Sequence, residues 1–238
     1  MPDILLTICA RGGSKGVKNK NIRPLHGQPL LAYTIKHALD WGVARQVVVS
    51  TDSEAIRDVA IQYGAQAPFV RPAELASDEA AKLPVIQHTL MESEKFYGDT
   101  YDIVVDLDPT APMRTVNDLD NCLGLFLERD YKHLFSVVPA HKNPYFNMVE
   151  IDSAGRIRLC KELDPLPVRR QDAPEVFSVN ASIYLYSRSW LMEDREIAIT
   201  KTGEVGIYIM DDYAGIDIDR EIDFRFVEFL MKGKLVAL

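Results

Sequence analysis

An apolar run at residues 4–10 stops at Arg11-Gly12-Gly13-Ser14-Lys15-Gly16, and apolar residues at helical spacing resume from Leu31. A buried strand, a basic glycine loop and a helix in that order form a unit that holds anionic nucleotides beyond a strand's carboxyl end. Adjacent glycines let the backbone turn tightly and approach a ligand closely. Their N–H groups can converge on an anion. Arg11, Lys15, Lys18 and Lys20 place four cations in the same stretch. The loop matches neither standard phosphate fingerprint: its lysine precedes the last glycine, and the glycine spacing of dinucleotide sites is absent. Glycine and charge alone leave a basic surface turn open as the alternative.

Strand and helix patterns then alternate. Strands are expected at residues 46–50, 101–107, 134–138 and 179–187, with a short apolar piece at 207–210. Helices are expected around Leu31, Ile35, Ala38 and Leu39, after Ser53 as N-cap, at 85–96 and at 117–128. A last helix is expected to bury Ile222, Phe226, Phe229 and Leu230. This order predicts an α/β fold, a three-layer doubly wound and mostly parallel sheet, within one domain spanning 1–238. Residues 139–178 break the pattern with five prolines and an Asp152-Ser153-Ala154-Gly155 turn, and read as an excursion from the sheet.

The net charge of −8 argues against nucleic acid as a partner, since phosphate neutralisation needs a basic face. No apolar run approaches the ~20 residues that span a membrane. The start lacks the basic segment of a signal peptide. Three scattered cysteines form no metal or disulfide pattern, so a cytoplasmic setting is expected.

Four further clusters carry chemistry. Arg71 stands in a loop, where it could meet a base or a phosphate or only solvent. Residues 106–114 end a strand with Asp106, Asp108, two prolines and Arg114, and loops beyond strand ends build sites. Arg169-Arg170-Gln171 lies in the excursion, and a guanidinium grips carboxylate or phosphate bidentately. In Asp217-Ile218-Asp219, residues two apart share a face of an extended chain. Paired aspartates suit Mg²⁺, which takes one or two carboxylates with phosphate oxygens and water. The alternative for Asp219 is a cap on the helix near Arg220.

Taken together, Ala10 to Gly16, Lys20-Asn21, Ser50-Thr51-Asp52, Arg71 to Asp78, Pro109 to Arg114, Asn180 to Tyr184 and Asp217-Ile218-Asp219 resemble the acylneuraminate cytidylyltransferases. The resemblance runs from Ile4 to Leu230. It implies a Rossmann-like nucleotide-diphospho-sugar transferase fold. It also implies a Mg²⁺-dependent transfer of CMP from CTP to a nine-carbon 2-keto sugar acid (a nonulosonic acid), with release of pyrophosphate. Arg11, Lys15 and Lys20 would hold the CTP phosphates, with Ala10, Gly12, Asn21, Arg71 and Lys82 also on the nucleotide. Arg170 would grip the sugar carboxylate, with Asp108, Gln171, Asn180 and Tyr184 around the sugar. Asp217 and Asp219 would organise the metal, and Asp219 could activate the sugar hydroxyl. The family is dimeric, so residues 139–178 would form a protruding homodimer arm that reaches the partner's site.

Two positions depart from the sialate pattern. Asp108 stands where glutamine is usual, and Lys82 where serine is frequent. With Asn143-Pro144-Tyr145-Phe146-Asn147, they resemble the legionaminic branch, whose substrate is a dideoxy, diamino relative of sialic acid. An acid at 108 could accept N–H bonds from an amide substituent. N-acetylneuraminate remains the second substrate, and an inactive nucleotide-binding module the alternative of another class.

Overall fold

The first apolar run folds into β1 (Ile4–Cys9), buried almost throughout. The computed structural model describes residues 2–13, 16–193 and 203–233. After β1 the chain forms β2 (Pro24–Leu25), β3 (Gln28–Pro29), α1 (Leu30–Trp41), β4 (Gln46–Ser50) and α2 (Glu54–Gln62). Then come α3 (Lys82–Tyr97), β5 (Ile103–Leu107), α4 (Val116–Glu128), β6 (His133–Pro139), β7 (Val149–Ile151) and β8 (Ile157–Leu159). β9 (Phe177–Ser187), α5 (Arg188–Met192), β10 (Val205–Ile209) and α6 (Glu221–Lys232) complete it.

Six strands make one sheet in the order β10-β6-β9-β5-β1-β4. β9 runs antiparallel to β5 and β6, and the other pairings in this sheet are parallel. Alternation along β1 sends its side chains to both faces. Ile4, Leu6 and Ile8 pack with Leu31 and Ile35 of α1, Ile56 of α2 and Leu119 of α4. Leu5 packs with Ile86 and Leu90 of α3 and Trp190 of α5. Helices thus cover both faces of a largely parallel sheet, the expected three layers. Ser53 caps α2 as expected, accepting from the Ile56 N–H. Thr115 and Asp118 form a capping box on α4.

β9 carries an irregularity that matters for the cleft. Its pairing with β6 jumps from Phe135↔Tyr184 to Val137↔Val179, so extra residues of β9 bulge out. Ala181 takes the left-handed conformation there, with φ at 47°. Ser136 fills the gap: its hydroxyl donates to Asn180 Oδ1 at 2.6 Å and accepts from the Ile183 N–H at 2.9 Å.

One expected face is corrected. α6 buries Phe224, Val227, Leu230 and Met231, and of the four residues expected inside only Leu230 is there. Ile222, Phe226 and Phe229 are exposed. The helix carries two apolar stripes, and periodicity alone does not choose between them. The Arg220–Asp223 capping box and packing of Phe224 beneath Arg23, 4.0 Å from its ring centroid, accompany the observed phase. Leu39 likewise faces solvent on α1.

Between β6 and β9 the chain leaves the sheet, and β7 pairs with β8 as a small hairpin around the Asp152 turn. Val149, Ile151 and Ile157 on this hairpin are 61%, 71% and 71% exposed. No described helix is long and apolar enough to cross a membrane.

Ser136→Ala would leave the buried Asn180 amide oxygen and the Ile183 N–H unpaired. It is expected to cost about 2 kcal/mol, read as a lower urea midpoint with an unchanged slope.

Candidate functional site

From β1 the chain moves outward to β4 and then returns across β1 to β5. The crevice at such a switch point, beyond the strands' carboxyl ends, is where α/β sheets bind ligands. Here it is a cleft of about 350 Å³. Arg11, Lys20, Asn21, Arg71, Lys82, Asp108 and Asp219 line it.

The glycine loop is pressed against the segment carrying the two aspartates. A side chain at Gly16 would put its Cβ 2.0 Å from the Asp219 carbonyl oxygen, so this approach requires glycine. Lys20 Nζ donates to the Ile218 carbonyl at 2.6 Å and to Asp219 Oδ1 at 3.2 Å. Arg11 donates to the Ser77 carbonyl at 2.6 Å and pairs with Asp78 at 2.7 Å. Asn21 is buried; its Nδ2 donates to the Arg11 carbonyl at 3.0 Å, while its Oδ1 has no hydrogen-bond partner. Lys15 lies outside the described residues.

Two loop residues face elsewhere. Gly12 donates its N–H to Asp52 at 2.9 Å and lines a smaller hollow beside Asn19 and Ile22. Ala10 is buried, with its N–H on the Ser50 carbonyl at 3.0 Å. Arg71 is also buried and bonds the Ser50 hydroxyl at 3.2 Å and the Ser50 carbonyl.

On the other wall, Lys82 Nζ lies 2.9 Å from Asp106 and 3.0 Å from Asp108, with 34% of its side chain exposed. It sits over the Tyr184 ring, 4.3 Å from the centroid. Burial opposes the Lys82 charge, but the two carboxylates outweigh it and hold the ammonium well above its ordinary pKa. Burial pushes Asp108 up, and Lys82 with the Thr110 hydrogen bonds overcomes this to leave it low. Asp108 is therefore not the free acceptor that the sequence suggested. Its Oδ1 receives Thr110 N–H at 3.2 Å and the Thr110 hydroxyl at 2.7 Å.

Asp217 is mostly buried. Burial raises its pKa to about 6, helped by the charges of Asp108 and Asp219 and opposed by Thr110 and Lys20. Its Oδ1 has no hydrogen-bond partner. Ile218 beside it is buried, as the alternation predicted. Asp219 does not cap α6; Arg220 is the N-cap and Asp223 supplies the side-chain bond, leaving the Asp219 carboxylate to Lys20.

Three expected sugar residues lie away from this cleft. Arg170 and Gln171 line a separate hollow of about 370 Å³ at the base of the excursion, where Arg170 donates to the Ala140 carbonyl at 2.7 Å. Asn180 is buried and its amide nitrogen reaches Met210 Sδ at 3.2 Å and the Ala214 carbonyl at 3.4 Å. Sequence reasoning gave no role to Arg114, which is fully buried. It bonds the Ser182 hydroxyl and the Thr34 hydroxyl at 3.0 Å each, and the Asp108 carbonyl. Burial lowers its pKa to about 10. The only sequence signal was an arginine closing the acidic, proline-rich stretch at the end of β5.

A family model described as cytidylyltransferase matches residues 5–223. The chain belongs to the cytidylyltransferase family. The CMP-N,N'-diacetyllegionaminic acid synthase of Campylobacter jejuni is 42% identical to this cytidylyltransferase over 98% of the chain and 97% of its own length. A post-translational flagellin modification protein B of Campylobacter coli is 41% identical over 98% and 97%. An N-acylneuraminate cytidylyltransferase of Escherichia coli is 32% identical over 97% of this chain and 52% of its own. In fold, the chain resembles a CMP:2-keto-3-deoxy-manno-octonic acid synthetase complexed with CTP, with TM-score 0.72, 16% identity and coverage of 98% and 99%. The nucleotide-diphospho-sugar transferase fold expected from the sequence is thus the observed one.

Because the folded-state pKa of Asp217 is raised, the protein is destabilised at neutral pH, and the penalty fades as pH falls through about 6. Asp217→Asn is expected to stabilise the protein by about 1–3 kcal/mol at neutral pH and not at all below about pH 4. Urea midpoints across that range, without divalent cations, measure it.

Proposed function

We propose that this cytidylyltransferase joins CTP to a legionaminic-type nonulosonic acid, forming the CMP-sugar and pyrophosphate. The observation that carries the reading is the closure of the Arg11–Lys20 loop on the Asp217–Asp219 segment, with Gly16 against Asp219. That contact gathers Arg11, Lys20 and Asp219 around one cleft, which suits a polyphosphate and its metal. The identity to the Campylobacter jejuni synthase over nearly the whole chain supports the legionaminic assignment.

Transfer of a nucleotidyl group depends on positioning and charge stabilisation. Arg11 and Lys20 face the triphosphate, a role the resemblance also gives to Lys15, and Arg71 and Asn21 face the nucleoside. The buried, unpartnered Oδ1 of Asp217 and the outward carboxylate of Asp219 form an all-oxygen donor set that fits Mg²⁺. When bound, Mg²⁺ offsets charge on the phosphate oxygens. Asp219 accepts the proton of the sugar's 2-hydroxyl as that oxygen attacks the α-phosphorus. Arg170 and Gln171 do not line their own chain's cleft, and the hairpin nearby exposes Val149, Ile151 and Ile157. A homodimer in which this arm covers the second copy's cleft accommodates both facts, and Arg170 there holds the sugar carboxylate.

With CTP and Mg²⁺, pyrophosphate release is expected to be fastest with N,N'-diacetyllegionaminate in a panel that includes N-acetylneuraminate and pseudaminate. Equal or faster turnover of N-acetylneuraminate would sink the sugar assignment. No release with any of the three would leave a binding module.

Asp219→Asn is expected to lower kcat at least about tenfold, and Arg170→Ala to raise KM for the sugar acid about tenfold with kcat less affected. Steady-state kinetics in both substrates separates the two.

A further inference from the structure

A continuous series of polar contacts crosses the cleft floor, and Lys82 stands at its head. Its ammonium has three N–H donors. Asp108 takes one at 3.0 Å, Asp106 Oδ2 lies 2.9 Å away as an ion pair without a hydrogen bond, and the Tyr184 ring lies against it. Its charge is committed to two carboxylates of the protein, whereas the resemblance implies a nucleotide contact. Asp106 is fully buried, with its other oxygen receiving the Thr7 hydroxyl at 2.7 Å. Asp108 Oδ1 holds the backbone and hydroxyl of Thr110. The Thr110 carbonyl then receives the Ile218 N–H at 3.0 Å. The Ile218 carbonyl receives Lys20 at 2.6 Å. The position of the Asp217–Asp219 segment is thus tied, bond by bond, to the Lys82 ion pairs.

We infer that Lys82 is a positioning residue: it stands between the Asp106 and Asp108 carboxylates and offsets their repulsion, so that Asp108 fixes Thr110 and, through Thr110, the Asp217–Asp219 segment. Two carboxylates this close at a buried strand end repel one another and favour uptake of a proton unless a cation stands between them. A protonated or displaced Asp108 would release its hold on Thr110. The inference rests on the proposed cytidylyl transfer, because it assigns Lys82 an effect on turnover rather than on nucleotide affinity.

The test compares wild type, Lys82→Met and Lys82→Met/Asp106→Asn, using CTP, Mg²⁺ and N,N'-diacetyllegionaminate. Lys82→Met is expected to lower kcat about tenfold while KM for CTP changes less than about twofold. Adding Asp106→Asn removes one stranded charge and keeps an acceptor for Thr7; it is expected to restore most of the lost kcat. A rise in KM for CTP with kcat kept, or a kcat loss that Asp106→Asn leaves in place, overturns the inference and gives Lys82 a direct substrate contact. Should Lys82→Met not fold, Thr110→Val cuts the same series further along. It is expected to lower kcat at unchanged KM for CTP, and a wild-type kcat in that variant overturns the inference. If wild type itself releases no pyrophosphate with any nonulosonic acid, the proposed function fails and urea midpoints decide the ion-pair role. Lys82→Met must then lie below wild type and recover with Asp106→Asn; absence of recovery overturns it.

Discussion

The contact of Gly16 with the Asp219 carbonyl is the constraint on which the cleft depends. It joins the loop after the first strand to a segment about two hundred positions later in the chain. Only a backbone without a side chain can come so near. The approach brings Lys20 onto the Ile218 carbonyl and the Asp219 carboxylate. Behind it, Val17 and Ile218 enter one apolar cluster with Leu30, Phe224 and Val227. Burial of that cluster holds the loop and α6 together, and the polar faces are left to the cleft. The apolar packing and the polar site are two sides of the same pair of segments.

The strand order makes this meeting possible. β1 and β5 are neighbours although α1, β4, α2 and α3 lie between them in sequence. Their carboxyl ends therefore open toward the same crevice from loops of unrelated chemistry, one basic and glycine-rich, the other acidic and proline-rich. The antiparallel β9 adds a third contribution. Its bulge at residues 180–183 presents Ser182 to Arg114 and Asn180 to the Ala214 carbonyl. Arg114 in turn reaches Thr34 on α1 and the Asp108 carbonyl. A buried guanidinium bonded to three separate elements fixes their spacing more stringently than apolar packing could, since each bond has a direction.

Much of this was legible in the sequence. Strand and helix periodicity gave the layers, because both faces of a parallel strand are buried and its helices each show one apolar side. Local chemistry gave the Ser53 cap and the turn at Asp152. The α6 face was not legible, since Ile222, Phe226 and Phe229 compete with Phe224, Val227 and Leu230 on the same helix, and contacts far along the chain choose between them. The same limit applied to the site. Arg11, Lys20, Asn21, Arg71, Lys82, Asp108 and Asp219 were expected in it and do line one cleft. What sequence did not reveal was how those groups are paired. Asp108 carried the signature of a free acceptor, and only the fold brings Lys82, from the start of α3, within 3.0 Å of it.

The distribution of charge follows from these pairings. The chain carries a net −8, yet its cleft gathers Arg11, Lys20, Arg71 and Lys82. Each of these is held by a protein oxygen before any ligand arrives: Ser77 and Asp78, Ile218 and Asp219, Ser50, and the Asp106–Asp108 pair. Holding a long cationic side chain in place removes entropy that ligand binding would otherwise have to remove. The partners differ in what they leave available. Carbonyl groups orient a cation and bring no formal negative charge, as the Ser50 carbonyl does for Arg71. Arg11 and Lys20 each meet one carboxylate beside a carbonyl, whereas Lys82 meets two carboxylates, and the inferred role of Lys82 is order rather than attraction. Which cations draw in a polyphosphate and which merely shape its site is therefore decided by the oxygen that holds each one, a distinction that residue type alone does not carry.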